Sequence, residues 1–152
     1  MNTILKSMAA VAAAVAAVGC SSHQPSNYEH LTAHKWELTQ IVSDDSAATA
    51  MTIPAGLTIQ FSDSARFFGF GGCNSFFGTY STVGQDNISI QPVGRSMAFC
   101  PDIALEDKFI AMLGLSATYV ASDSTLQLND NEAKQTLMFK AVAADEPQSD
   151  NQ

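Results

Sequence analysis

The amino-acid sequence predicts a mainly β fold: an antiparallel, partly open, barrel-like sheet with one amphipathic helix packed on it. The secondary-structure content is therefore α+β. Two observations favour the sheet. Apolar and polar residues alternate in several short segments, and turn-forming residues separate those segments at regular intervals. The third observation is the spacing of apolar residues after Pro101, which is typical of one helix face and predicts the single helix.

Two strands are predicted before the middle of the chain. Apolar and polar residues alternate within residues 36–42, and the tryptophan that begins this segment is expected to pack in the core. A second strand is predicted where Leu57, Ile59 and Phe61 alternate with polar residues. The segment 44–51 between them is rich in Asp, Ser, Ala and Thr and is interpreted as a loop.

The central stretch 66–80, with the sequence RFFGFGGCNSFFGTY, predicts the nucleus of the core. It holds six of the thirteen aromatic residues of the chain, and aromatic side chains bury the most apolar surface per residue. Gly71, Gly72 and Asn74 predict a tight turn between two strands, with Gly72 in a backbone conformation that disfavours side chains. A glycine inside a flanking strand, such as Gly78, indicates a bulge or a close approach of another backbone.

Further strands and the helix are predicted downstream of this stretch. The strands are expected at residues 88–91, 118–120, 126–128 and 136–142. The helix is predicted to begin at Pro101-Asp102, and its buried face is expected to consist of Leu105, Phe109, Met112 and Leu113. Three charged residues of the same helix, Glu106, Asp107 and Lys108, are expected to face water.

The first residues of the chain predict processing and membrane attachment. Residues 8–18 form an apolar run that follows Lys6, is too short to span a bilayer and ends near Gly19-Cys20. This pattern is typical of a bacterial lipoprotein signal. It predicts cleavage before Cys20 and a lipid anchor on that residue. An ordinary secretory signal with an incidental cysteine is the alternative.

The predicted organisation therefore has four parts. Residues 1–19 are expected to be the signal peptide, 20–30 a lipidated tether, 31–142 one domain and 143–152 a disordered acidic tail. The whole chain has seven basic and fifteen acidic residues, and its net charge is −8. This balance disfavours binding to nucleic acid and to anionic lipid head groups, because both require cationic patches.

The predicted domain contains two sequence motifs. The first is Phe68-Gly69-Phe70-Gly71-Gly72-Cys73-Asn74 followed by Gly78-x-Tyr80. The second is Ser96-Met97-Ala98-Phe99-Cys100. Both resemble motifs of the META domain family, a family that includes HslJ-like heat-shock lipoproteins of bacteria, although the second has Ser in place of the family's Thr and an additional residue, Phe99. The resemblance covers roughly residues 31–142. It implies structural roles for Gly71, Gly72, Asn74, Gly78, Tyr80 and Met97.

The resemblance implies a non-enzymatic protein of the cell envelope, since the family is defined by its fold and motifs and not by a reaction. Its expected role is that of an accessory to envelope stress or antibiotic tolerance, and it is expected to act as a monomer by binding an envelope protein. Because Ser21 and not Asp follows Cys20, a Gram-negative source would favour the outer membrane, with the domain facing the periplasm.

Two further hypotheses differ in class from protein binding. One is a barrel-type module that binds a small apolar ligand, which a lined cavity inside the barrel would favour. The other is an enzyme such as a hydrolase, which a perturbed titratable group in a cleft would favour. The sequence offers no such group.

Cys73 and Cys100 are predicted to form a disulfide. Two thiols in an oxidising compartment commonly pair, and each of these cysteines lies in one of the two META motifs, which suggests that the motifs meet in space. The bond would stabilise the domain by about 3–4 kcal/mol. Two free thiols, either both buried or one buried and one exposed, are the alternative.

No catalytic residue, metal ligand or cofactor is predicted. The domain has no histidine beyond its first residues, so a catalytic triad would lack its base. His30 and His34 have the spacing of metal ligands on a helix, but no third ligand is visible and their segment is interpreted as a tether leading into a strand. Arg66 and Arg95 are expected to be exposed charges at strand ends, and pairing with a carboxylate at the barrel mouth is the alternative.

Overall fold

The computed structural model describes residues 24–43, 53–101 and 103–143. In chain order its elements are α1 (Asn27–Ala33), β1 (Lys35–Ser43), β2 (Thr58–Phe61), β3 (Arg66–Phe70), β4 (Ser75–Val83), β5 (Asn87–Arg95), α2 (Ile103–Leu115), β6 (Ser116–Ala121), β7 (Thr125–Asp130) and β8 (Gln135–Val142). The predicted signal peptide, Cys20, the loop 44–51 and nearly all of the predicted tail lie outside the described residues. Within the described ranges, no helix combines the length and the apolar character needed to cross a membrane.

The strands form one ring-like antiparallel sheet. Each strand pairs with the next along the chain, and β8 pairs with β1. The junction of β5 and β6 is narrow, since its register contains the single pair Asn87 and Thr118, extended by a 2.8 Å hydrogen bond from the backbone N–H of Tyr119 to the carbonyl of Asp86. The ring is therefore not a regular barrel. This confirms the predicted mainly β, antiparallel, partly open and barrel-like fold.

Aromatic side chains fill the interior of the ring-like sheet. Contacts run from Tyr80 through Phe61 and Phe67 to Phe76, and from there to Phe109 of α2. The ring centroids of successive pairs are 5.0 to 6.2 Å apart, which is the range of favourable edge-to-face and tilted contacts. The central stretch therefore supplies much of the core, as its composition predicts.

Gly78 allows this packing because its position has no room for a side chain. A Cβ atom there would lie 2.1 Å from the carbonyl oxygen of Gln91 and 2.6 Å from the ring of Phe67. The pairing of β4 with β5 also shifts register between Phe77 and Gly78. The predicted bulge and the predicted close approach are thus both present at this glycine.

Helix α2 follows the predicted apolar spacing, but one of its charged residues is buried as well. Phe109, Met112 and Leu113 are buried, and Leu105 packs against the core while partly exposed. Glu106, however, is fully buried, so the prediction that it faces water is wrong. The physical reason is its spacing: positions 106, 109 and 113 lie at i, i+3 and i+7, on the face that points to the sheet.

The prediction of a single helix is also wrong, because residues 27–33 form α1 where a tether was expected up to residue 30. Ser26 and Glu29 form a capping box, in which the Ser26 side chain accepts the backbone N–H of Glu29 and the Glu29 carboxylate accepts that of Ser26. Asn27 donates its side-chain amide to the carbonyl of Tyr119 in β6, and Leu31 is fully buried. One apolar residue gives no helical periodicity, but it is enough to pack the helix on the ring.

Candidate functional site

The two META motifs meet at one end of strands β3, β4 and β5. Cys73 in the β3–β4 turn and Cys100 before α2 form a disulfide, with their Cα atoms 6.0 Å apart. This confirms the predicted pairing. The bond joins the turn to the segment that leads into α2.

Glu106 of α2 holds the same turn from inside the protein. Its Oε2 atom accepts the backbone N–H of Asn74 at 2.6 Å and that of Cys73 at 3.2 Å, and its Oε1 atom accepts the side-chain amide of Asn74 at 2.8 Å. Such charge-assisted bonds to turn N–H groups are stronger than neutral ones. The glycines, Asn74 and the disulfide therefore do not hold the turn alone, since a buried carboxylate binds its N–H groups.

Two glycines fit the turn around this carboxylate for different reasons. A Cβ atom on Gly71 would lie 2.4 Å from Cγ of Glu106, so only glycine leaves room for the carboxylate. Gly72 has a φ of +99°, in the region that disfavours side chains, which confirms the prediction made for it.

Arg95 neutralises part of the buried charge from the end of β5. Its Nη1 atom lies 3.3 Å from Oε1 of Glu106 and also pairs with the exposed carboxylate of Asp107. Pairing with Asp107 raises the pKa of Arg95. Of the two alternatives for this arginine, pairing at the barrel mouth is the one observed. Arg66 lies over the ring of Phe68, 5.8 Å from its centroid.

Asn74 links the turn to the second motif, Ser96–Cys100, which we call the motif loop. Its Oδ1 atom accepts the hydroxyl of Ser96 at 2.9 Å and the backbone N–H of Ala98 at 2.7 Å, and its side-chain amide donates to the carbonyl of Ala98 at 3.1 Å. Met97 is 88% exposed and Phe99 is 92% exposed. Met97, for which the resemblance implies a structural role, therefore lies outside the core: the loop backbone is fixed while its two large apolar side chains face solvent.

An outward row of rings begins beside this loop, and we call it the aromatic face. It consists of Phe68 and Phe70 on β3 and Phe77 on β4, all three exposed. Phe68 and Phe77 are directly opposite each other in the register, and Phe77 lies over Gly94, where a Cβ would be 3.0 Å from the ring. A shallow groove of about 220 Å³ between β5 and α2 is lined by Pro92, Val93, Gly94, Arg95 and Ile110. The exposed rings and the groove together give this side of the protein an apolar surface.

Tyr80, the last residue of the first motif, has a role in the core. It is buried, and its hydroxyl donates to the carbonyl of Ser62 at 2.6 Å. Burial raises the pKa of Tyr80, and a hydrogen bond with Tyr28 raises it further. Burial likewise raises the pKa of Tyr119.

His30, His34 and Asp123 lie together at the other helix, α1. Their potential ligand atoms are all within 4.8 Å of one another, and Nδ1 of His30 is 3.1 Å from Oδ1 of Asp123. The histidines thus lie on a helix and at its end, and not in a tether, and a third side chain that could act as a ligand lies beside them. The sequence does not reveal Asp123, because it lies in the turn between β6 and β7, far along the chain.

Sequence reasoning also missed Glu106 as the residue that joins the motifs. The usable signal was its position on the buried face of α2, at the spacing of Phe109 and Leu113. Its partners, the N–H groups of a turn 32 residues earlier, leave no pattern in the sequence.

These features define a class of protein: a small irregular β-ring in which a disulfide and a buried carboxylate join two motifs. The chain belongs to the META domain family, whose model matches residues 29–143. A search of curated proteins returned no significant match. Among solved structures, a protein from Burkholderia xenovorans is similar with a TM-score of 0.64 at 22% identity, over 88% of this chain and 97% of that one. A DUF4847 family protein from Bacteroides vulgatus has a TM-score of 0.61 at 15% identity, over 76% and 96% respectively. At these identities the likeness concerns the fold alone.

Proposed function

We propose that this META domain protein is a non-enzymatic lipoprotein of the cell envelope that binds another envelope protein through the motif loop and the aromatic face. Its role would be that of an accessory to envelope stress or antibiotic tolerance. The observation that carries the proposal is the exposure of Met97 and Phe99 on a backbone fixed by a disulfide and by Asn74. Because the backbone that carries these side chains is already fixed, binding would not have to order the loop, which favours association.

The charge of the chain supports a protein partner over a lipid surface for this site. The net charge is −8, and the guanidinium of Arg95 is engaged by two carboxylates. Anionic head groups would therefore meet repulsion, whereas an apolar patch with an adjacent groove is typical of the centre of a protein interface. Attachment to the membrane is proposed to reside in the lipid on Cys20.

The filled interior favours protein binding over the alternative of a small apolar ligand inside the barrel. Phe61, Phe67, Phe76 and Phe109 occupy the space that such a ligand would need. The proposed lack of catalysis is supported by Glu106, because this buried carboxylate is enclosed by N–H donors and Arg95 and has no exposed surface with which to meet a substrate.

Photo-crosslinking tests the proposed interface. A photoreactive phenylalanine analogue at position 99 or 77, in protein expressed in its native envelope, is expected to give a discrete adduct with one protein. Val83 provides the matched control, because it is 72% exposed at the opposite end of β4 from the motif loop. The adduct should be lost when Met97→Ser is added. Equal adducts at position 83, or none at 99 and 77, would contradict the proposal.

Mass spectrometry tests the proposed anchor. The mature protein is expected to begin with a lipid-modified Cys20, and Cys20→Ser is expected to leave the chain unprocessed or released from the membrane. An unmodified N-terminus beyond residue 20 would show that the anchor is absent while leaving the interface to be judged by the crosslinks.

A further inference from the structure

We propose that His30, His34 and Asp123 bind one divalent transition-metal ion of the zinc class. The site goes beyond the proposed interface, since it lies at α1 and the β6–β7 turn. Two imidazoles and one carboxylate are ligands typical of Zn²⁺ sites in which a fourth position stays open to water. Their potential ligand atoms are already within 4.8 Å of one another.

The spacing of the ligand atoms is close to what a bound ion requires. Bonds of about 2.1 Å in a tetrahedral arrangement place neighbouring ligand atoms roughly 3.4 Å apart. Nδ1 of His30 and Oδ1 of Asp123 are 3.1 Å apart. The longest separation, up to 4.8 Å, requires a side-chain movement of roughly 1 Å, which rotation of an imidazole or of the carboxylate provides.

Both histidines are held by structure that does not depend on the ion. His30 is in the last turn of α1, and His34 is its C-cap residue, so the two imidazoles follow each other by one helical turn. The ring of His34 packs edge-on against buried Trp36, with centroids 5.3 Å apart, and Trp36 donates its indole N–H to the carbonyl of Leu31. The backbone positions of both histidines are therefore set before a metal binds, and rotation of the side chains adjusts the ligand atoms.

The third ligand is carried by a turn that is equally well fixed. Ser122 donates its backbone N–H to the carbonyl of Thr125 at 2.9 Å and accepts the N–H of Thr125 on its hydroxyl. Ala141 of β8 donates to the carbonyl of Ser124 at 2.8 Å. Asp123 lies between these bonded residues, and its side chain is 89% exposed, so that water can complete the coordination of an ion.

A hydrogen bond between His30 and Asp123 explains only part of the cluster. It accounts for the short distance between that pair, but it does not explain why the imidazole of His34 also lies within 4.8 Å of both groups. A single cation would satisfy all three groups. It would also join α1, the first described helix, to the β6–β7 turn, so that metal binding would favour the packing of α1 on the ring.

Calorimetric titration of the purified, chelator-treated protein with Zn²⁺ tests the site. One ion is expected to bind per chain, and His34→Ala and Asp123→Ala are each expected to weaken binding at least about ten-fold. His23→Ala and Asp63→Ala are matched controls, because they remove the third histidine of the chain and an exposed turn aspartate elsewhere. Absence of Zn²⁺ uptake, unchanged affinity in both site variants, or loss of binding in either control would overturn the proposal.

Thermal unfolding gives a second readout that does not depend on heats of binding. Zn²⁺ is expected to raise the Tm of the wild-type protein and leave that of Asp123→Ala unchanged, because only an ion bound to the folded state stabilises it. The circular dichroism of the metal-free variants should match that of the wild type, which separates loss of a ligand from loss of the fold. An equal rise of Tm in both proteins would overturn the assignment.

Discussion

Glu106 and Asn74 are joined by two hydrogen bonds, in which Asn74 donates its backbone N–H over 2.6 Å and its side-chain amide over 2.8 Å to the two carboxylate oxygens. The side-chain oxygen of Asn74, Oδ1, accepts two hydrogen bonds from the motif loop. A helix, a turn and a loop from distant parts of the chain are therefore connected through one residue pair. The exposed position of Met97 and Phe99 depends on this connection.

Glu106→Gln is expected to lower the free energy of unfolding by about 2–4 kcal/mol, because it removes the charge paired with Arg95 and places an amide donor opposite N–H donors. Urea denaturation measures the loss. Asp107→Asn is the control, since Asp107 is an exposed partner of the same arginine and its change should cost less than about 1 kcal/mol. Equal losses in the two variants would show that the turn does not depend on Glu106.

Removal of the disulfide is expected to lower stability by about 3 kcal/mol, given the separation of 27 residues between Cys73 and Cys100. The double variant Cys73→Ser with Cys100→Ser and the reduced wild type should have similar urea midpoints. Reductant should leave the double variant unchanged, which serves as the control. Free thiols at both positions in denatured, unreduced protein would contradict the bond.

Gly71→Ala is expected to destabilise the domain by more than about 2 kcal/mol, because the new methyl group would overlap the buried side chain of Glu106. Gly56 is a suitable comparison: its φ is +98° and a Cβ there would meet nothing within 4 Å. Gly56→Ala should therefore cost only the backbone strain of about 1 kcal/mol. If thermal unfolding gave the two variants the same loss, contact with Glu106 would not explain the glycine.

Stability is expected to fall in alkaline solution. Burial raises the pKa of Tyr80 above its ordinary value of 10.0, so the folded state holds this proton more tightly than the unfolded state does. The contribution is complete below about pH 10 and is lost as the pH rises toward the folded-state pKa. Urea unfolding between about pH 8 and 11 measures the slope. Tyr80→Phe should reduce it, and an unchanged slope in that variant would assign the effect elsewhere, for example to Tyr119.

The sheet was predictable because its residues alternate between buried and exposed positions over short distances. Leu57, Ile59 and Phe61 are all buried, as their alternation predicts. Helix α2 was predictable for the same kind of reason, since Phe109 and Leu113 recur at helical spacing. In both cases the information lies within a few residues of chain, where periodicity can be seen.

The site residues were harder to predict because their partners are distant in sequence. Glu106 has the helical spacing of buried Phe109 and Leu113, but it looks like a solvated acid next to Asp107 and Lys108. Its partners in the β3–β4 turn lie far earlier in the chain. In the sequence Asp123 is an ordinary turn residue, and only the packing of α1 in the folded protein places His30 beside it. The disulfide was an exception. Each of the two motifs contains one cysteine, so the sequence alone leaves one way to pair them within the domain.

The pairing of β1 with β8 has a consequence for when the domain can fold. Thr39 in β1 donates its hydroxyl to the carbonyl of Met138 in β8, a partner 99 residues later. One edge of β1 therefore stays unpaired until β8, the last strand of the chain, has formed. Contacts between residues so far apart in sequence slow folding. A nascent or truncated chain that lacks β8 would leave two open strand edges, on β1 and on β7, and such edges pair readily with other chains.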